Sequence, residues 1–406
     1  MSAIRPMVVV SGLDVLCADR LDLCRGRRGG VLCHPASVDG QLVHASERLT
    51  AAGVRPVRLF GPEHGVRGEA QDMVSVQGGR DGRTGIAVTS LYGQSLDSLQ
   101  PRQEALADID ILLVDLQDIG SRYYTFIWTM ALTMQAAARA GVAVVVLDRP
   151  NPIGGSAIEG GEVEPACESF VGLASLPVRH GLTIAEVARL VQAGIPWGGS
   201  RFALPLDLEL TVVPMRGWRR SDHFEATGLP WVMPSPNMPT VDTAFVYPGL
   251  CLIEGTNVSE GRGTTRPFEI IGAPFVDGPR LAERLAVHGL SGVHFRPLWF
   301  RPTFHKFAGQ VCGGIQVHVT DRAVFESYRC GVAILRELYA VSGQAFRWRS
   351  EPYEFVPDRL AIDLLTGSDA IRTGIERGLA LAELEATWLP AQRRFVEQRQ
   401  PYLLYE

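Results

Sequence analysis

The sequence of 406 residues lacks the motifs that identify several large enzyme classes. It has no GxGxxG or GxxxxGKS/T loop for nucleotide phosphates, no HExxH helix of zinc proteases and no GxSxG turn of serine hydrolases. Nucleotide cofactors, zinc proteolysis and serine hydrolysis therefore lose their main support. We expect neither a cofactor nor a resident metal.

Positive charge and paired cysteines are also scarce. Lys and Arg total 39 against 44 Asp and Glu, a formal charge of −5, so no basic field exists to hold a phosphate backbone. The seven cysteines are scattered without a CxxC pair, which indicates free thiols. We expect no nucleic-acid partner, and the oligomeric state stays open.

Long apolar runs are absent too. The densest, at residues 142–147, is far shorter than the roughly 20 residues that cross a bilayer, so no membrane partner is expected. The start of the chain carries only a brief apolar stretch, without a signal-peptide core and cleavage site. As written, the chain is expected in the cytoplasm, unless a leader was removed from its precursor.

The chain does contain an alternation of short β-branched runs with Ala/Leu-rich segments over its first 150 residues. This pattern predicts an α/β fold, a parallel sheet covered by helices. The proline-rich run WVMPSPNMP at 231–239 suggests a boundary between domains at 1–238 and 239–406, the second a smaller α+β unit. Predicted strands lie at 30–33, 56–60, 86–91, 109–115, 142–147 and 314–319, and predicted helices at 45–52, 124–140, 183–193, 323–339, 369–377 and 381–398.

Two acid-bearing loops follow predicted strands, at the sheet edge where open parallel sheets bind ligands. GPEHGVRGEAQD (61–72) presents Glu63 and His64 between glycines, a position suited to acid–base chemistry, with a solvated turn as the alternative. VDLQDIGSRYYTF (114–126) presents Asp115 and Asp118 as a second carboxylate. Asp118 could instead cap the helix that follows.

Three further loops supply polar side chains. LDRPNP (147–152) offers an acid, a cation and an amide, with a salt-bridged scaffold as the alternative. PVRHGLT (177–183) places an arginine and a histidine before a helix N-terminus, which favours anions, although a lone histidine is more often structural. EGTNVSEGRGTTRPF (254–268) suits a polyhydroxylated or acidic ligand. The candidate residues of these loops are Asp148, Arg149, Asn151, Arg179, His180, Glu254, Asn257, Arg262 and Arg266.

An acid-rich crevice with arginines and amides favours sugar chemistry, in which paired carboxyls act on a glycosidic bond. A metal-assisted hydrolase that uses His64, Asp118 or His180 is the competing enzyme hypothesis.

The loops also carry a resemblance, through the strings LFGPEHGVRGE, DLQDIGSRYYTF, LDRPNP, RHGLTIAE, PSPNMP and EGTNVSEGRGTTRPF. They span residues 59–268, and weaker similarity, including PTFHKFAGQVCGG, continues to the terminal YLLY. The chain resembles the bacterial exo-β-N-acetylmuramidases, a family once labelled only as a domain of unknown function. These enzymes remove terminal N-acetylmuramic acid (MurNAc) from peptidoglycan fragments in cell-wall turnover and recycling.

The resemblance implies a Rossmann-like catalytic domain with an auxiliary domain that contributes a loop to the cleft, and a small saccharide or muropeptide substrate. The PEHG glutamate is Glu63, the expected general acid, while Asp115 or Asp118 handles water or the oxocarbenium charge. An arginine is expected to hold the lactyl carboxylate: Arg179, Arg262 or Arg266. Attack by the substrate's own N-acetyl group, or binding without catalysis, are the alternatives. Further expected binding residues are Arg67, Arg122, Tyr123 and Asn237.

Overall fold

The computed structural model describes residues 8–68, 78–93, 95–195, 197 and 201–406. Within them, seven strands form one mixed sheet and three form a smaller antiparallel sheet. In chain order the strands are β1 (Gly29–Cys33), β2 (Pro56–Gly61), β3 (Gly79–Arg80), β4 (Ala87–Ser90), β5 (Ile111–Asp115), β6 (Ala143–Leu147), β7 (Leu210–Val213), β8 (Ile270–Ala273), β9 (Val293–Phe300) and β10 (Cys312–Val319).

Helices cover both sheets, and short 3₁₀ turns join several of them. In chain order the α-helices are α1 (Gly12–Asp19), α2 (Ala45–Ala51), α3 (Gln103–Leu106), α4 (Phe126–Ala140), α5 (Ile184–Ala193), α6 (Val241–Leu250), α7 (Gly278–Ala286), α8 (Ser327–Ser342), α9 (Ala361–Thr366), α10 (Ala370–Glu376), α11 (Leu381–Glu385) and α12 (Leu389–Gln398).

The larger sheet has the order β3-β4-β2-β1-β5-β6-β7, with β3 alone antiparallel to its neighbour. Its parallel strands, counted along the chain, follow the order 3-2-1-4-5-6 of a Rossmann-like sheet. Every residue of β1, β5 and β6 is buried, as strands covered on both faces require. The loops that follow β1, β2, β5 and β6 therefore leave the sheet at one edge.

Side-chain alternation places apolar residues on both faces of the larger sheet. Leu113 and Val145 belong to one buried cluster, together with Leu13 of α1. Their neighbours Val114 and Val146 face a second, larger cluster on the other side of the sheet. Each run of β-branched and leucine residues thus supplies both faces of the sheet, which is why the strands read as continuous apolar segments.

The second sheet, of order β8-β10-β9, shares a hydrophobic core with the larger sheet. The larger cluster extends from Val114 in the first sheet to Ile315 in β10 and Phe395 in α12. The last residues then return to the first layer, where the Tyr405 hydroxyl donates to the Asp148 carboxylate and the Leu404 N–H donates to Glu186. The domain boundary at 238/239 stays a prediction.

The predicted α/β class with a smaller second unit is confirmed, and the predicted strands of the first layer lie within two residues of the observed ones. One helix is wrong. The segment 381–398 forms two helices, α11 and α12, because Pro390 stands in the first turn of α12, where its missing N–H breaks no bond. The predicted 323–339 helix begins only at Ser327.

Candidate active site

Glu63 lies in a tight turn directly after β2. The Gly65 N–H donates to the Pro62 carbonyl oxygen at 3.0 Å, and His64 between them adopts a left-handed backbone with φ of 72°. For a non-glycine residue this conformation costs about 1 kcal/mol. Gly61 permits the turn, since a Cβ there would lie 2.9 Å from the Val66 nitrogen. Residues 69–72, the end of the predicted motif, lie outside the described residues.

The turn opens onto a cleft with about 580 Å³ of space, counting the part open to solvent. Residues from before and after position 239 line it, so both halves of the chain build the cleft. Its hydrogen-bonding and charged side chains include Glu63, His64, Asn237, Glu254, Arg262 and Glu354.

An aromatic wall forms one part of the cleft. The Tyr247 ring meets the Phe268 ring edge-to-face at 4.7 Å, and the Tyr124 ring meets Tyr247 at 5.8 Å. Tyr123 is buried, and its hydroxyl donates to the Pro248 carbonyl oxygen. Such rings present rigid apolar faces, which suit the C–H faces of a sugar ring.

The carboxyl group of Glu63 is oriented by a hydroxyl. Thr125 Oγ1 donates to Glu63 Oε2 at 3.0 Å, and both side chains are buried. Thr125 is the N-cap residue of α4, yet its side chain makes no cap bond. The hydroxyl that would ordinarily cap the helix thus holds Glu63 instead.

Arg262 lies between two acids of the cleft region. Its Nη2 donates to Glu254 Oε1 at 2.7 Å, and the Tyr353 hydroxyl donates to Glu254 Oε2, also at 2.7 Å. Both Glu254 oxygens therefore accept strong bonds, and Glu254 serves as an anchor for Arg262 and Tyr353. The Arg262 guanidinium also stacks over the Phe268 ring at 5.1 Å.

The second acid, Glu260, is fully buried and is balanced by other cations. Lys306, the only lysine of the sequence, donates to Glu260 Oε2 at 2.8 Å, and His305 Nδ1 lies 3.1 Å from Oε1. Burial would raise the pKa of Glu260, but Lys306, His305 and Arg262 hold that pKa well below its usual range. Lys306 thus makes the closer ion pair with Glu260, at 2.8 Å, while Arg262 Nε lies 3.4 Å from Glu260 Oε1.

His34, which the sequence did not single out, ties one cleft wall to the sheet. Its Nε2 accepts the Gln117 N–H at 2.8 Å, so the ring proton resides on Nδ1, which donates to the Pro234 carbonyl oxygen at 3.2 Å. Burial lowers the pKa of His34 to about 3, which keeps the ring neutral. Pro234 precedes Ser235 and Asn237, which both line the cleft. His34 thus positions that loop.

Comparison with known proteins assigns the chain to a family. A sequence profile described as the N-terminal part of exo-β-N-acetylmuramidase NamZ matches residues 30–242, and the C-terminal profile matches residues 245–405. The chain belongs to the NamZ exo-β-N-acetylmuramidase family. It is 42% identical over 398 residues, 98% of this chain and 91% of the relative, to the peptidoglycan β-N-acetylmuramidase NamZ of Bacillus subtilis (strain 168).

Two crystal structures of DUF1343 family proteins from Bacteroides fragilis NCTC 9343 share the fold. One has a TM-score of 0.87 and 32% identity, and the match covers 99% of this chain and 100% of that chain. The other has a TM-score of 0.76 and 27% identity, with coverage of 98% and 99%. The predicted family, the glycosidase class and the α/β fold are therefore confirmed.

Two features are absent from the described part of this NamZ-family chain. No helix there is long and apolar enough to cross a bilayer. No group of three or more His, Cys, Asp or Glu side chains there is arranged to hold a metal ion. The cytoplasmic location stays a prediction.

Asp115, one of the two predicted second carboxylates, lies in the core away from the cleft. Arg149 Nε and Nη2 donate to its two oxygens at 2.5 and 2.8 Å, and Arg149 Nη2 also donates to the Val38 carbonyl oxygen. Burial raises the pKa of Asp115, and Arg149 opposes that shift. Asp115 and Arg149 thus form the salt-bridged scaffold that was the alternative for the LDRPNP loop.

Asp118 and Asp148 do not line the cleft either. Asp118 accepts the Gly120 N–H at 2.6 Å and lies 3.4 Å from His180 Nε2. Asp148 accepts the Thr183 hydroxyl at 2.9 Å and the Ala185 N–H at 3.0 Å at the start of α5, and burial raises its pKa to about 7. These acids hold loops and a helix start rather than a ligand cavity.

The other predicted binding residues outside the cleft have structural partners. Arg122 is fully buried and donates to three carbonyl oxygens, and burial lowers its pKa to about 10. Arg179 is buried and pairs with Glu159 at 2.6 Å. The remaining pairs are Asn151 with the Leu182 carbonyl, Arg67 with Asp81, Asn257 with the Ala345 carbonyl, and Arg266 with Glu269.

Some residues of the cleft were not predicted from the sequence. Tyr124 and Thr125 lie in the DLQDIGSRYYTF string, and Ser235 lies in PSPNMP, so those motifs contained the signal. Tyr353 and Glu354 lie in the segment EPYEFVP, residues 351–357, where two prolines indicate no more than a turn.

Proposed function

We propose that the cleft hydrolyses the bond that joins MurNAc, at the non-reducing end of a peptidoglycan fragment, to the next sugar. Glu63 is the general acid. The observation that carries this proposal is the position of Glu63: its strained turn aims a buried, hydroxyl-oriented carboxyl into a cleft that both halves of the chain build. Family membership supports the substrate class, a MurNAc-containing saccharide or muropeptide.

In this mechanism the protonated Glu63 donates its proton to the glycosidic oxygen as the C1–O bond breaks. The Thr125 hydroxyl holds the carboxyl in one orientation, which fixes the direction of the proton transfer. The cleft acids stabilise the oxocarbenium charge that develops on the sugar ring.

Arg262 binds the lactyl carboxylate that distinguishes MurNAc from N-acetylglucosamine. Of the three arginines expected in this role, Arg262 lines the cleft, Arg179 is held by Glu159, and Arg266 is partly exposed beside Glu269. A guanidinium grips a carboxylate through two parallel hydrogen bonds. Glu254 fixes the Arg262 side chain in place, so little side-chain entropy is lost when the ligand binds.

The test uses a MurNAc–GlcNAc disaccharide and measures free MurNAc. We expect the wild-type protein to release it and Glu63→Gln to lose about 10²- to 10⁴-fold in kcat while still binding the disaccharide. Asp118→Asn is the matched control, since Asp118 has a loop-holding position, and its kcat should stay within about threefold of wild type. Unchanged turnover in Glu63→Gln would remove the assignment.

A further inference from the structure

A turn between Tyr353 and Val356 has an unusual combination of shape and residues. The two flanking residues exchange backbone hydrogen bonds of 3.1 and 2.9 Å, and the central Glu354 and Phe355 have φ of 45° and 68°. A two-residue hairpin loop with both central residues left-handed is a type I′ turn, which strongly prefers Asn-Gly. Glutamate and phenylalanine are both disfavoured in that conformation.

The consequence of this turn is an inward-facing acid. Glu354 is only 6% exposed and lines the cleft together with Glu63. Phe355 packs with its ring 6.2 Å from the Tyr92 ring, which holds the turn against the body of the protein. Strained backbone conformations that persist in a protein cluster at functional sites, so the turn points to a task for Glu354.

The three acids of the cleft have different surroundings. Glu254 accepts bonds from Arg262 and from Tyr353 at its two oxygens, which fixes it as an anchoring carboxylate. Glu63 is oriented by Thr125 in the first layer. Glu354 comes from the opposite half of the chain and follows directly after Tyr353. In most glycosidases two carboxyls flank the scissile bond, and Glu63 and Glu354 both line the cleft, one from each half of the chain.

We propose that Glu354 is the general base of the reaction, an inference that rests on the proposed function of the cleft. Glu63 gives its proton to the leaving oxygen and the C1–O bond breaks. A water oxygen bonds to C1 from the opposite face, and one proton of that water passes to the Glu354 carboxylate. The product is the α anomer of MurNAc, and exchange with solvent returns both carboxyls to their starting states.

Two substrates separate this proposal from the proposed function. The MurNAc–GlcNAc disaccharide needs an acid for its leaving group, whereas 4-nitrophenyl β-MurNAc does not, because nitrophenolate leaves unaided. We expect Glu63→Gln to recover to within about tenfold of wild type on the nitrophenyl substrate, and Glu354→Gln to lose about 10²- to 10⁴-fold in kcat on both. If the wild type releases no MurNAc, the proposed function fails. If the wild type is active and Glu354→Gln keeps that activity, Glu354 is not the base.

Two further variants control for misfolding and for nonspecific effects of a substitution in this segment. Glu354→Asn places a residue in the turn that favours its conformation, so we expect the Tm to rise by about 1–2 °C while activity on both substrates is lost. Glu351→Gln, in the exposed part of the same segment, is the matched control and should leave both activities unchanged. Proton NMR of the first product should give the α anomer, and the β anomer would overturn the proposal.

Discussion

Two regions of the molecule are rich in acids and arginines but use their charges differently. One is the edge of the larger sheet around Asp115 and Asp148, and the other is the cleft around Glu63. At the sheet edge, Asp115 is closed by Arg149 and Asp148 by the start of α5. In the cleft, side chains from two distant parts of the chain surround open space. Residue types alone therefore do not distinguish a scaffold from a reaction site, whereas the partners of each charge do.

The difference between the two regions also explains where the site lies. Open parallel sheets ordinarily bind ligands at the point between β1 and β5, from which the strand order runs in both directions. Here the Asp115–Arg149 pair fills that point, and the neighbouring cavity, lined by residues such as Arg149 and Trp231, has only about 360 Å³ of space. The larger cleft lies beside the end of β2, where the second half of the chain supplies Glu254 and Arg262.

Breaking the scaffold pair should give the largest change in stability. Arg149→Met leaves the Asp115 carboxyl buried without its ion-pair partner, so the free energy of unfolding should fall by about 3–5 kcal/mol. Turnover by the folded protein should stay within about threefold of wild type, since neither residue lines the cleft. Urea unfolding and steady-state kinetics below the transition measure both quantities.

Arg28→Met is the control for that variant. It removes the bidentate but exposed pair with Asp110, and should change stability far less because water already solvates both charges. If Arg149→Met instead kept its stability and lost turnover as severely as Glu63→Gln, the chemistry would have to be moved to the sheet edge.

Changing Arg262 tests the recognition of the lactyl group with a smaller effect. Arg262→Lys keeps the charge but loses the two parallel bonds to a carboxylate, so the KM for MurNAc–GlcNAc should rise about 10- to 30-fold with little change in kcat, about 1.5–2 kcal/mol. Arg266→Lys, outside the cleft, should leave KM unchanged. Equal KM values in the two variants would exclude Arg262 as the carboxylate-binding residue.

The buried histidine between the two regions predicts a pH dependence. The unfolded chain protonates His34 near pH 6.5, whereas the folded protein holds it neutral until about pH 3. Its contribution to stability is complete above pH 6.5 and is lost as the pH falls, by up to about 1.4 kcal/mol per pH unit. Urea unfolding between pH 7 and pH 5 should give a steeper decline for wild type than for His34→Asn. Parallel slopes would contradict the neutral buried ring.

Local sequence patterns predicted the features that depend on residues adjacent in the chain, such as strands, turns and helix starts. The run at 142–147 gave β6, and the helix predicted at 183–193 is α5, which begins with a capping box formed by Thr183 and Glu186. The glycines around Glu63 predicted its turn at a strand end. Ion-pair partners were harder, because nothing next to Asp115 in the sequence reveals that Arg149 closes it.

Glu354 could not be predicted, because its role depends on contacts between distant segments. It lies nearly 300 residues after Glu63, and only the shared core of the two layers brings both into one cleft. Its turn also runs against the local rule, since Glu-Phe is a poor type I′ sequence. Functional sites are where such local rules are broken.

The most direct test of this account is a crystal structure of Glu63→Gln with MurNAc–GlcNAc bound. We predict the glycosidic oxygen within about 3 Å of the side chain at position 63, with the lactyl carboxylate on Arg262. A disaccharide seated instead in the smaller cavity lined by Arg149 and Trp231 would contradict it.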